Sequence, residues 1–314
     1  MTAPSAPPHH RDTYARVACD DPVVATMVST WLADAQLDWP GPFELQVLTG
    51  ASHPFAVDTR DVFTQPSITI QAGAPSHVVR IAWDNDTAIA EVDATEARAT
   101  MWLSPKAIAR FHDAERGFLL VVLVFLMRRL GWFHVHAASM IDRQQRGWLI
   151  AGNSNCGKST TTALMATRGW HIATDDIGFL ARDGSRICSL GMRTPIALRE
   201  GGLAMLGATG GIDMRRRQKS GFWAEDLGGA WTPRVIPEIV AFPSIGERTT
   251  ITPASPRAAL AALVQWSAWV LYEPAFSQEH LDVLGLVAQQ SRCFNLTLGP
   301  DLFDNPNHLE ELVP

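Results

Sequence analysis

Cysteine is scarce in this chain. Its 314 residues include four cysteines, Cys19, Cys156, Cys188 and Cys293, scattered and without a C-x-x-C pair. That spacing excludes a zinc knuckle and a disulfide framework. Cys156 lies inside a glycine-rich loop, where an exposed thiol is an oxidation liability outside a reducing compartment, so the sequence points to the cytoplasm. Charge is also scarce. Charged residues make up 18% of the chain and the net charge is −6, which argues against nucleic acid or a membrane surface as a broad partner. Long apolar runs are missing too. The stretch from Phe118 to Met127 is too short to cross a bilayer and predicts a buried helix. The first residues, MTAPSAPPHHRD, lack the apolar core of a signal peptide, and 1–12 reads as a disordered tail whose His9-His10 pair is no metal site. No internal repeat is present.

What remains is a globular composition, 46% hydrophobic, on a chain long enough to bury a sizeable core in one large or two medium domains. One stretch organises it. Gly152, Asn153, Ser154, Asn155, Cys156, Gly157, Lys158 and Ser159 fill the pattern G-x-x-x-x-G-K-[ST]. Glycines at both ends let the backbone wrap a phosphate with its N–H groups pointing inward. In that pattern the lysine reaches the β- and γ-phosphates and the serine hydroxyl ligates Mg²⁺. The context fits. Gly147 to Ala151 reads as a buried strand entering the loop, and Thr160 to Arg168 as a helix leaving it, whose N-terminus adds partial positive charge. Gly169 stops that helix. Trp170 to Thr174 reads as a strand that delivers Asp175-Asp176. A carboxylate at a strand end soon after a phosphate loop is where an NTPase makes its second Mg²⁺ contact.

Residues 13–100 read as a small N-terminal α+β domain and 101–314 as the domain of the loop. In the first, Pro22 to Ala35 predicts a helix, and 43–48, 67–70, 77–83 and 87–92 predict strands. Ser104-Pro105 starts a helix that runs to Leu130, with a break near Gly117. Trp132 to Ile141 alternates as a strand with His134 and His136 on one face. A polar turn at 142–146 makes a hairpin with the strand at 147–151. No third ligand accompanies the two histidines, so His136 is expected to hydrogen-bond beside the loop rather than to bind a metal. Further strands are expected at 177–181, 186–190, 235–242 and 293–298. Helices are expected at 256–272, with Trp266 and Trp269 as core anchors, at 278–291 and at 306–312. Arg215, Arg216, Arg217 and Lys219 read equally as a solvated turn or as a mobile loop that clamps a triphosphate or an acidic acceptor. Strands dominate around the loop, unlike a regular alternating βαβ fold.

The order His136-Ala-Ala, strand, GNSNCGKST, short helix, RGW, strand, Asp175-Asp176 and then PIALRE resembles the HPr kinase/phosphorylase superfamily, in particular its HPr-kinase-related bacterial serine kinases. The end of the chain, Arg292-x-Phe-x-Leu-x-Leu followed by Gly-Pro-Asp-Leu, is also similar. The likeness is strongest over 132–200 and slight before 100. It implies a mixed α/β, strand-rich P-loop kinase core like that of phosphoenolpyruvate carboxykinase. It implies ATP and Mg²⁺, homo-oligomers, and transfer of the γ-phosphate to a serine hydroxyl of a peptide or protein, a ribosomal (lasso) peptide precursor among the kinds of acceptor. By position, Gly152 to Thr160 binds the phosphates, Lys158 stabilises the transferring group, and Ser159 and Asp176 face the metal. Asp175 is expected to take the acceptor proton, and His136 to support the acidic pair. The family's signature after the acidic pair is replaced here by Arg199-Glu200-Gly201-Gly202. Two other readings stay open: a small-molecule hydroxyl as acceptor, and a nucleotide-binding regulator without catalysis.

Overall fold

Alternation and apolar spacing account for most of the elements in a computed structural model of the chain. It describes residues 15–36, 41–55, 60–65, 68–72, 79–85, 87–110, 116–214 and 218–313. The tail expected at 1–12 and the three arginines 215–217 lie outside the described residues. The chain divides into two compact units: one covers 1–32 and 39–130, the other 33–38 and 131–314.

The first unit holds β1 (Ala15–Cys19), α1 (Pro22–Asp34), β2 (Phe43–Thr49), β3 (Arg60–Gln65), β4 (Ile68–Ala72), β5 (Val79–Trp83), β6 (Ala88–Val92), β7 (Arg98–Leu103), α2 (Pro105–Arg110) and α3 (Arg116–Arg129). Its sheet runs β1-β2-β7-β6-β5-β4-β3. In β2, Phe43, Leu45 and Val47 are buried while Glu44 and Gln46 are exposed, the period of a half-covered strand. In α1, Val24, Val28 and Leu32 are buried at a spacing of four, the stripe of a surface helix. Helix α3 is buried on nearly every side, from Phe118 to Met127. The helical stretch expected from Ser104 to Leu130, with a break near Gly117, is two helices, α2 ending at Arg110 and α3 starting at Arg116. Ser104 caps the first, its hydroxyl accepting from the Ala107 N–H. Among the described residues no helix is long and apolar enough to cross a membrane.

The second unit opens with β8 (Phe133–Ile141) and β9 (Gly147–Ala151), the expected antiparallel hairpin. There follow α4 (Lys158–Ala166), β10 (His171–Thr174), β11 (Ile177–Asp183), β12 (Arg186–Gly191), β13 (Ile196–Leu198), α5 (Glu200–Leu206), β14 (Ile212–Met214), β15 (Lys219–Phe222), β16 (Ala230–Trp231), β17 (Arg234–Val235), β18 (Pro237–Ile245), β19 (Thr250–Pro253), α6 (Pro256–Gln265), α7 (Pro274–Gln290), β20 (Arg292–Leu298), α8 (Asp301–Asp304) and α9 (His308–Leu312). The main sheet has the path β17-β12-β11-β8-β9-β18-β20-β19, with β10 also on β8 and β16 on β10. A separate three-stranded sheet has the order β13-β15-β14.

Every residue of β9 is buried, because both faces of the sheet are covered. Trp148 and Ile150 join Ala138, Met140 and helix α4 in one core. Leu149 and Ala151 join Phe133, Val135, Ala137 and helices α6 and α7 in the other. The even positions of β8, His136 among them, therefore belong to the α4 face.

The C-terminus is tied to this frame. Arg143, in the β8–β9 turn, donates from Nε and Nη2 to both Glu310 oxygens at 3.0 and 2.9 Å, and the Trp170 indole donates to Glu310 Oε1 at 2.7 Å.

Two expectations need correction here. The helix expected over 256–272 ends at Gln265, and a short 3₁₀ turn follows at 268–271. The contact there is tertiary: the Trp266 carbonyl accepts from the backbone N–H of His136, remote in sequence, at 2.9 Å. Trp266 packs, half-buried, against the α6/α7 core, while Trp269 stands edge-on to the His134 ring at 6.2 Å. The second correction concerns Lys219, expected in a loop. It begins β15, paired with β14 and β13.

Candidate active site

The site is assembled around β8. On one side of it β9 pairs Ala151 with Ala137, and the Gly152 N–H donates to the His136 carbonyl at 3.5 Å as the strand gives way to the loop. On the other side β10 pairs Thr174 with Ser139, and β11 resumes with Ile177 opposite His136. The two residues skipped between them are Asp175 and Asp176. Register alone therefore brings the acidic pair level with the start of the loop, one strand away.

The loop has the backbone its sequence requires. Asn155 and Gly157 take positive φ, 67° and 96°, the region that turns consecutive N–H groups toward one side. At Gly152 a Cβ would come within 2.9 Å of Cys156 Sγ and 3.1 Å of Pro243. Gly157 is the N-cap of α4, and no side chain caps the helix. The N–H groups of that first turn are thus open to an anion. Asn153 and Cys156 stabilise the bend: the Ser154 N–H donates to Asn153 Oδ1 at 2.7 Å, and the Cys156 thiol donates to the Asn153 carbonyl at 2.9 Å. None of the four cysteines forms a disulfide.

Lys158 is 5% exposed. Its ammonium donates to the carbonyls of Gly152 and Asn153 at 2.7 and 2.8 Å and comes within 3.3 Å of His136 Nε2. Burial pushes its pKa down, against the pull of the Cys156 thiolate form, Asp176 and Asp175.

The two aspartates differ sharply. Asp175 is 4% exposed. Its carboxylate accepts from the Ser159 hydroxyl and, at 3.4 Å, from the Ala197 N–H of β13. Burial, then the charge of Asp176, raises its pKa to about 6. The Asp176 side chain is 49% exposed, and its Oδ1 lies 2.6 Å from His136 Nε2. An ionised carboxylate makes that ring nitrogen the donor. Burial pushes Asp176 up, but the bond and charge of His136, with Lys158, bring it below the usual carboxylate range. The Thr174 hydroxyl accepts from the N–H groups of Asp176 and Ile177 at 3.3 and 3.1 Å and so fixes the turn.

His134 has a different role from its neighbour. It is buried between Phe179 and Trp269, and burial lowers its pKa to about 4, so it is a neutral core histidine.

Lys219, expected in a basic loop, begins β15 instead. Its charge acts on both Asp175 and Lys158. Thr160, at the end of the motif, lies beside α5, where a Cβ on Gly202 would come within 3.1 Å of its Oγ1. Two residues the sequence did not single out also border the site: Ala197, through its N–H, and Thr174. Both are ordinary in composition, and only the pairing of strands reveals them.

The fit to a nucleotide and a divalent ion can be judged from these groups. An uncapped helix start, positive-φ turns and a buried lysine suit phosphate oxygens. Among the described residues no group of three or more His, Cys, Asp and Glu could hold a metal ion by itself. Two carboxylates and the Ser159 hydroxyl instead offer a few hard oxygens, as Mg²⁺ takes when water and phosphate complete its shell.

No protein-family model matches the chain, and no curated protein matches it. Among solved structures it is similar to the HPr(Ser) kinase/phosphatase from Coxiella burnetii. The identity is 14%, the TM-score is 0.30, and the overlap covers 57% of this chain and 93% of that one.

Proposed function

We propose that this chain is an ATP- and Mg²⁺-dependent kinase that transfers the γ-phosphate to a serine hydroxyl of a peptide or protein. The observation that carries the reading is the convergence of Lys158, Ser159, Asp175, Asp176 and His136 at one end of one sheet. A phosphate loop alone serves many NTPases. A loop with an adjacent acidic pair, one member of it exposed and backed by histidine, suits transfer to a hydroxyl.

Bound Mg²⁺-ATP would supply the transferable group and a cation to neutralise its charge. The chain's own residues do the rest. The loop N–H groups and Lys158 hold phosphate oxygens, and Lys158 and Lys219 add positive charge where negative charge grows. Ser159 and Asp175, already joined by a hydrogen bond, face the metal together.

Burial and partners support a division of labour opposite to the one expected from sequence. Asp175 is enclosed and bonded to the loop serine, which suits a metal-facing carboxylate. Asp176 is half-exposed and oriented by His136, which suits the group that receives the acceptor proton. Phosphoryl transfer asks little of that base beyond position.

The test is intact-mass spectrometry of serine-bearing peptides encoded beside this gene, and of HPr, after incubation with ATP and Mg²⁺. Lys158→Ala is the control. A gain of one phosphate that the control loses is the expected result. ATP consumed with no peptide or protein modified would move the acceptor to a small-molecule hydroxyl. No consumption at all would leave a nucleotide-binding regulator.

A further inference from the structure

We propose that Ile245, backed by Leu298, is the seat of the nucleotide's base, so that the phosphate chain crosses the sheet edge from β18 toward the acidic pair. This rests on the nucleotide-binding reading above and adds to it a direction and a specificity residue.

Strands β9, β18 and β20 are mutually parallel. Ligands of such sheets sit outside the carboxyl ends of the strands. The three strands do not end level. β9 gives way to the loop after Ala151, whereas its neighbour β18 continues to Ile245, paired there with Leu298 at the end of β20. These two ends flank the loop. A Cβ on Gly157 would come within 2.8 Å of Leu298 Cδ1 and 3.1 Å of Ile245 Cδ1. The Gly246 N–H donates to the Leu298 carbonyl at 3.0 Å, which holds the end of β18 in place.

Strand order supplies the direction. The acidic pair stands on the β8 side of β9, and Ile245 on the β18 side. A nucleotide with its terminal phosphate at the carboxylates and its phosphates on the loop must carry its ribose and base the other way, over β18 and β20. What it meets there is the paired end of β18 and β20. Leu298 is 7% exposed, but Ile245 is 66% exposed, although Val240 and Ala241 of the same strand are buried. An exposed branched aliphatic side chain beside an anion site offers a flat ring an apolar face. Glu247 and Arg248 follow in the turn, a polar rim for ribose or exocyclic groups.

The experiment compares two ligands by isothermal titration on the full chain with Mg²⁺: ATP, and inorganic tripolyphosphate, which has the phosphates without the base. The variants are Ile245→Ser and Ile245→Leu. Ile245 is largely exposed, so equal melting temperatures are expected and are checked. The expected result is a loss of ATP affinity of at least fivefold in Ile245→Ser, recovery in Ile245→Leu, and tripolyphosphate affinity within twofold throughout. An equal loss for both ligands would make Ile245 a packing residue of the loop and overturn the seat. Unchanged ATP affinity in Ile245→Ser would overturn it as well. Wild-type protein that binds tripolyphosphate as tightly as ATP would overturn the seat and leave the phosphate site standing. Binding of neither ligand would remove both.

Discussion

Neutralising Asp175 should make the protein more stable while it destroys activity. Burial holds this carboxyl at a pKa of about 6 in the folded chain, above the ordinary aspartate value of 3.8. A difference of about two units corresponds to roughly 3 kcal/mol. The sign follows from proton binding: the folded state holds this proton more tightly than the unfolded state. Stability is therefore unaffected below about pH 4, falls as pH rises from about 4 to about 6, and stays reduced above that. Asp175→Asn removes the charge whose burial is the cost. It also weakens one of the two bonds from the Ser159 hydroxyl and the Ala197 N–H, which returns about 1 kcal/mol. The net expectation is a gain of about 2 kcal/mol at pH 7 and little gain near pH 4. Urea unfolding in EDTA, followed by tryptophan fluorescence, measures it. Seven of the eleven tryptophans lie in the second unit, so the signal reports mainly on the right part of the chain. An offset between variant and wild type that stays constant with pH, or a variant less stable at pH 7, would refute the reasoning. The expected pattern is that of a site residue kept for function at a cost in stability.

Three more perturbations test neighbouring parts of the picture. Gly157→Ala places a Cβ at φ +96° and within 2.8 Å of Leu298 Cδ1; it should cost about 1–3 kcal/mol and abolish ATP binding, read by thermal melting and calorimetry. His136→Ala removes the partner that lowers Asp176; burial then pushes that carboxyl upward, and the acid limb of a kcat/KM profile should move to higher pH, whereas an unmoved limb would deny the pairing its role. Glu310→Ala leaves the buried Trp170 indole without its acceptor and Arg143 with Asn307; it should cost about 1–3 kcal/mol in urea unfolding without altering the KM for ATP.

The sequence made long, strongly patterned elements legible. β9 is an apolar run with clear ends, β8 and β20 mix polar and apolar positions as strands do, and α7 has the length and spacing of a helix covering a sheet. The loop was legible because its chemistry demands particular residues at particular positions. What failed was short or context-dependent. β13, β14 and β15 have three or four residues each, too few for a period to show. α5 carries Gly201-Gly202, and two adjacent glycines weaken a helical pattern; Gly202 lies close to Thr160 in the folded chain. The adjacent aspartates could not be told apart by type. Only burial and partners separate Asp175 from Asp176, and these depend on β13 and His136, both remote in sequence.

The place of β8 has a consequence for how the chain reaches its working state. This one strand carries His136, fixes where the loop begins, and leaves the gap that the two aspartates fill. A slip of one residue against β9 would turn His136 to the α6/α7 face and present Phe133, Val135 and Ala137 to the loop. Misregistered chains would thus lack the site altogether, and under the proposed function a refolding time course followed by phosphate transfer would count only molecules whose central hairpin had closed correctly.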